Sequence, residues 1–415
     1  MTSPNLFLFS SPLSPERLTW LEEMIKYFFV KLNPENLLHR TKPPGDAVFT
    51  LFLTGDALYS LQDPQTLPLW EIILSMPSVR IICDLKELDL RGISIERLKM
   101  KNPEQVIDRN SLALNGQPSF WHDVAKAARQ HEQPVPSTVG YLQIESPYMH
   151  SSALAAVRCL TAALEAHASV ELYAYLDGIH CGHTGQQPAD ADNIGEALTD
   201  LCEKAAKRRL SCQVFACARC AAARGYATWD NGQGLVISAC TVKPFRIRQM
   251  DEIAERFGHS HIILGRDIAS IRTKKEGNSV FSLEETGRSP PITILVTDSP
   301  YRTEKVYGAL TFGAACASHG IPTRIIFIED GTYALTGNHL VDKDSRFFNI
   351  QDVINAVAGS RNLEFYSFLP SLHQRGNAKS PAMKAVLDIG ISEFGQLLFS
   401  PSKESQAGHQ RVIFF

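Results

Sequence analysis

Two compact apolar runs, at residues 139–144 and 292–296, are each followed by a stretch in which apolar side chains recur every three to four positions. In the first stretch these are Leu154, Val157, Leu160 and Leu164; in the second, Val306, Leu310, Ala314 and Ala317. That period is one face of a helix. A further apolar run then follows, at 170–176 or 323–328, and ends at an Asp-Gly pair. Strand, helix, strand within about 35 residues predicts a βαβ unit with a right-handed crossover. Runs apolar at nearly every position, rather than at alternate ones, predict a parallel sheet covered on both faces.

The two stretches are copies of one pattern. Ser-Pro-Tyr stands at 146–148 and 299–301, Asp-Gly at 177–178 and 330–331, and both landmarks are 153 residues apart. A common offset at two landmarks indicates an internal repeat. The middle copy continues with a predicted helix at 193–207, a strand at 211–215, a helix running to Arg224, a strand at 235–238, a helix at 248–257 and a strand at 261–264. The last copy continues with a helix at 350–358, a strand at 363–368, a short helix ending at Arg375-Gly376 and a terminal strand at 412–415. The first third reads as a degenerate copy. It has a strand in "LFLFSSP", a helix at 16–32 with the stripe Leu18, Leu21, Ile25, Phe28 and Leu32, and a Pro/Asn-rich insert at 33–46. Strands at 47–53 and 79–83 lead to Arg91-Gly92. Composition shifts at 132–138 and from 269 to 290, where charge, Gly, Ser and Pro accumulate, mark unit boundaries. The expected fold is α/β, as three consecutive units (1–134, 138–268, 291–415) joined late by a linker at 269–290. Each would be a mainly parallel sheet with helices on both faces.

With 415 residues and a formal net charge of -3, the chain is long enough for several domains and gives no electrostatic reason to bind nucleic acid directly. No apolar run approaches the length that crosses a bilayer, so no membrane association is expected. Nine cysteines without a small-secreted-domain spacing imply free thiols in a reducing, cytoplasmic setting.

Three of those cysteines fall in "CQVFACARCAAARGY". Cys217 is placed where a strand passes into a helix, its sulfur exposed at the carboxyl edge of a parallel sheet, where ligands and reactive groups gather. Unpaired amides there can lower a thiol pKa from ~8.5 into the ~3.5–7.5 range, and Arg219 and Arg224 could add positive potential. Cys220, at Cys-x-x-Cys spacing, could resolve a sulfur adduct on Cys217 as a disulfide. Two other readings stay open: both thiols as small core residues, or a zinc site of Cys181, His183, Cys217 and Cys220. In the latter, "CGH" within "DGIHCGH" is much shorter than usual paired-ligand spacings. Cys181 and His183 could instead line the Cys217 pocket, and Tyr148 and Tyr301 could close a pocket at the same edge, against the simpler view of turn-packing tyrosines. Cys159 and Cys316 read as core residues, and Cys202, Cys212 and Cys240 show no partner pattern. "DNGQGL" lacks a dinucleotide or phosphate-loop fingerprint, and "RTKK" at Arg272 reads as exposed linker charge.

The order of these motifs resembles the DsrE/DsrF-like superfamily of sulfur-relay proteins. "SPY", "YLDG", "C…AAARG" and "HIILG" make the middle unit TusD-like; "SPY", "IEDGTYAL" and "VIFF" make the last TusC-like; the first is weakly TusB-like. The resemblance implies a persulfide on a cysteine eight residues before the Gly of the Arg-Gly pair. That is Cys217; the matching places in the other copies are Asp84, with Cys83 one place off, and Phe368. It further implies a sulfurtransferase or persulfide carrier without a cofactor. Its partners would be sulfur-donor and sulfur-acceptor proteins bearing reactive cysteines, with room for a homo-oligomer. A non-catalytic interaction scaffold and a zinc-binding α/β module are the alternatives.

Overall fold

A computed structural model describes residues 5–32, 48–76, 78–112, 119–129, 138–230, 234–259, 262–272, 290–342, 344, 347–399 and 409–415. The insert at 33–46, most of the boundary at 132–138 and the linker from 273 to 289 lie outside the described residues. The strands of the first segment are β1 (Asn5–Phe9), β2 (Phe49–Leu53), β3 (Val79–Asp84) and β4 (Val106–Arg109). Those of the middle are β5 (Thr138–Gln143), β6 (Ser169–Ala174), β7 (Cys212–Cys217), β8 (Ala227–Asp230), β9 (Gly234–Ile237), β10 (Phe245–Arg248) and β11 (Ile262–Gly265). After β12 (Ile268–Arg272) come β13 (Ile292–Val296), β14 (Thr323–Phe327), β15 (Leu363–Phe368), β16 (Val386–Ile389) and β17 (His409–Phe414).

The sheets are mostly parallel, as the apolar runs predict, and helices cover them. The middle segment forms a five-stranded sheet in the order β10-β7-β6-β5-β11, and β13 to β17 repeat that order as β16-β15-β14-β13-β17. The first segment has β4-β3-β2-β1, and the place of its fifth strand is taken by β12, which runs antiparallel to β1 and also to β17. Three separate sheets were expected; instead the first and last segments share one ten-stranded sheet, with β12 as the seam. The last residue of the expected middle unit and the opening of the expected linker, 269–272, therefore form one strand, β12. Its Ile268, Ala269 and Ile271 are buried, because its two faces contribute to two different cores.

Strand alternation explains those cores. Leu6 and Leu8 of β1 lie in the one shared with the middle sheet, while Phe7 and Phe9 lie in the other, beneath the helices Pro15–Tyr27 and Ile391–Phe399. The segments close on one another in a ring. Helix Phe120–Arg129 packs on Ser152–Glu165, Met250–His259 packs on Lys305–Ser318, and the shared sheet joins last to first. Helix starts follow local chemistry: Ser14, Asn193 and Asn349 side chains accept hydrogen bonds from backbone N–H groups in the first turn of the helix each caps. The expected helix at 16–32 is regular only to Tyr27 and then widens into a π turn, Phe28–Leu32. No helix among the described residues is long and apolar enough to cross a membrane.

Candidate functional site

The repeat landmarks meet in space. In each segment the arginine of the Arg-Gly pair is bonded to an aspartate at the end of the second strand. Arg224 Nε donates to Asp177 Oδ1 at 2.8 Å, Arg375 Nε to Asp330 Oδ1 at 3.0 Å, and Arg91 Nη2 to Asp56 Oδ1 at 3.0 Å. The residue before each aspartate, Leu176, Glu329 or Gly55, has positive φ. This bend turns the chain under the sheet edge so closely that a Cβ on Gly178 or Gly331 would lie 2.0 or 1.9 Å from a carbonyl oxygen of the first strand.

At that edge Asp84, Cys217 and Phe368 occupy one equivalent place: each ends the third strand and caps the short helix that leads to Arg-Gly. Cys217 is only 2 % exposed, not the open thiol expected at the sheet mouth, but it forms part of the wall of a pocket of about 210 Å³. Tyr175, Leu176, Arg219, Cys220, Arg224 and Met250 of the middle segment form part of that wall, and Glu304, Tyr307 and Thr311 of the last segment complete it. The pocket is thus a feature of the interface between segments.

The Cys217 thiol is pulled down to about 7. The cause is first the neighbouring Cys220 thiol, then the adjacent backbone amides of Cys220 and Arg219 and the nearby Arg219 charge, which together outweigh burial. Cys220 is pushed far up by its closeness to Cys217 and by burial, so it stays protonated. Arg219 Nη1 donates to the Tyr307 hydroxyl at 2.7 Å, with its guanidinium 4.4 Å from the ring centre. Arg224 is neutralised between Asp177 and Glu304, 2.7 and 2.9 Å away, so of the two arginines only Arg219 lends positive potential to the sulfur. Tyr175 hydroxyl donates to the Gly308 carbonyl at 3.1 Å and ties the pocket floor to the opposing helix.

The other expected residues lie elsewhere. Cys181 is buried and its thiol is pushed up to about 12 by that burial; it is not part of the pocket wall. His183 accepts from the Gly185 N–H at 2.9 Å and meets the Tyr226 ring edge-on. Among the described residues no group of three His, Cys, Asp or Glu is placed to hold a metal, so Cys181, His183, Cys217 and Cys220 do not form the zinc set considered above. Tyr148 does not close the Cys217 pocket: its hydroxyl donates to Gln186 Oε1 at 2.5 Å and accepts from the Ile194 N–H at 3.3 Å. Tyr301 repeats the arrangement at Ile350, 3.1 Å away. The two tyrosines therefore pin the starts of the helices Ile194–Lys207 and Ile350–Val357, and of the two only Tyr301 reaches a neighbouring groove shared with Arg219 and Tyr307.

The pocket wall from the last segment escaped the sequence reading. Its signal was available in Tyr307 and Thr311, polar-tipped side chains one turn apart on an otherwise apolar helix. Cys202 and Cys212, without a sequence pattern linking them, are brought to a sulfur–sulfur distance of 2.9 Å.

The mostly parallel architecture makes this an α/β protein with a cysteine at the carboxyl edge of its five-stranded sheet. The sequence pattern of the DsrE/DsrF-like family matches residues 138–263 and 291–399, more than half of the chain, and the protein belongs to that family, which is associated generally with sulfur relay through partner proteins. Among curated proteins none matches the chain. The crystal structure of the YchN protein from E. coli is similar at 18 % identity and a TM-score of 0.24, covering 30 % of this chain and 99 % of that one.

Proposed function

We propose that this protein accepts sulfane sulfur as a persulfide on Cys217 and passes it to a thiol of a partner protein. The observation that carries the reading is a thiol at the start of a short helix, next to Cys220 and Arg219, that borders a pocket. The Cys217 thiolate attacks the outer sulfur of a donor persulfide. The donor's S–S bond breaks, its inner sulfur leaves as a thiolate, and Cys217 carries –S–SH. An acceptor thiolate then attacks that terminal sulfur and Cys217 leaves as a thiolate, with no net oxidation. Cys220, held protonated, stabilises the anion of Cys217 rather than attacking the persulfide. The small pocket admits a cysteine-bearing segment and limits access of bulk thiols.

The same reading takes 1–134, 138–268 and 291–415 as three DsrE-like units, the first and last without a thiol in the reactive place; the recurring strand order supports it. Nine cysteines without a small-secreted-domain spacing suit a reducing compartment such as the cytoplasm. Mass spectrometry after incubation with a low-molecular-weight persulfide tests the proposal. One added sulfur on Cys217, discharged by an acceptor thiol and lost in Cys217→Ser, is expected. A Cys217 that stays unmodified while other cysteines load would leave a scaffold without a carrier.

A further inference from the structure

Cys202 and Cys212 lie apart from the Cys217 pocket. Cys202 is on the helix Ile194–Lys207, and Cys212 opens β7, whose far end is Cys217. Alternation along the strand puts Cys212 and Cys217 on opposite faces, and the helix packs on the Cys212 face. The two sulfurs are 2.9 Å apart, within about 1 Å of the ~2.05 Å disulfide bond. Both residues are half-buried, so a small reagent can reach them.

We infer that Cys202 and Cys212 form a second thiol site, an internal dithiol that small disulfides of the glutathione type oxidise reversibly. The inference is independent of the relay reading. The pair is asymmetric. Cys202 is lowered by the hydrogen bond from Cys212 and by nearby Arg246, whereas Cys212 is raised by that bond and by burial, so Cys202 is the attacking sulfur. Its thiolate attacks one sulfur of the small disulfide. That S–S bond breaks, one small thiolate leaves, and a mixed disulfide forms on Cys202. Cys212 then attacks the Cys202 sulfur; the second small thiolate leaves and takes up the proton that Cys212 releases. Two protein thiols are oxidised and one small disulfide is reduced to two thiols. The bond would fasten the helix to β7, the strand that ends at Cys217.

The test equilibrates the full chain, and its Cys217→Ser variant, with oxidised and reduced glutathione over a range of ratios. Acid quenching, alkylation, tryptic digestion and mass spectrometry follow. Trypsin puts Cys202 on a peptide with Cys159 and Cys181 (159–204) and Cys212 on a peptide with Cys217 (210–219), so fragmentation of the linked peptides assigns the bond to Cys202 and Cys212. The expected result is a linked pair lacking two hydrogens in both proteins, with a rise in Tm of a few degrees. Cys212→Ser should trap glutathione on Cys202 about tenfold more than Cys202→Ser traps it on Cys212. Full alkylation of both thiols at every ratio, or bonding of Cys202 to a different cysteine, would overturn the inference. Because the Cys217→Ser protein should behave identically here, failure of the relay reading leaves this result untouched.

Discussion

One backbone position carries three side chains. Asp84 is buried and bonded to the Ser111 and Thr54 hydroxyls, Phe368 is buried in the core, and Cys217 borders a pocket. The backbone geometry is shared, so the side chain and its neighbours decide what the place can do. For Cys217 the deciding neighbour is Cys220. The alkylation rate of Cys217 should rise with pH through a midpoint of about 7. Removing the donor in Cys220→Ala should move that midpoint upward, while Cys220→Ser, which still donates, should largely keep it. A pH series of alkylation read by peptide mass spectrometry checks this. A midpoint unmoved by Cys220→Ala would show that the two backbone amides suffice.

Between elements, the tightest constraint is where the second strand turns under the first. Gly331 has no room for a methyl group, because the contact would be with backbone and not a movable side-chain tip. Gly331→Ala should therefore destabilise the fold by roughly 3 kcal/mol or more, as forced overpacking does, measured by chemical denaturation. Gly376, where an added Cβ meets nothing within 4 Å, is the control for space; its positive φ leaves only backbone strain. The elements that the sequence hid share a physical cause. The edge strands β4, β10 and β16 are four residues long and carry charged residues in "VIDR", "FRIR" and "VLDI", as edges that avoid pairing with other chains do. They offer neither an apolar run nor enough length to show a period. The apolar strands β2, β3, β5, β6, β7, β13, β14 and β15, by contrast, were legible to within a residue or two, whereas β12, although central, reads as linker.

Across the whole molecule, ion pairs close the contacts between segments. Arg224 reaches Glu304, Arg375 reaches Glu16, and Arg158 reaches Glu87, each from one segment to the next. Arg17 of the first segment is buried against Glu329 of the last, its Nη2 2.7 Å from Oε2, and also faces Asp267. Beside Cys217 the corresponding place is Leu176, an apolar side chain, and a pocket results. Arg17→Ala would strand a buried carboxylate and should cost about 3–5 kcal/mol, as loss of one partner of a buried pair does. Denaturation monitored at the tryptophans reads it, Trp20 being hydrogen-bonded to Glu329 itself. A loss under about 1 kcal/mol, the range of exposed pairs, would show that water reaches Glu329 freely.

Periodicity and repeated landmarks determined the parallel units, the strand-to-helix placement of Cys217 and its equivalence to Asp84 and Phe368. These are local matters, written in residues a few positions apart. Tertiary structure decided that β12 completes the sheet of the first segment, that Tyr307 and Thr311 from the last segment wall the pocket, and that Cys202 meets Cys212. It also decided that Arg224 is spent on two carboxylates while Arg219 faces the sulfur. Such outcomes depend on which surfaces the packed segments bring together, and contacts between distant residues leave no period in the chain.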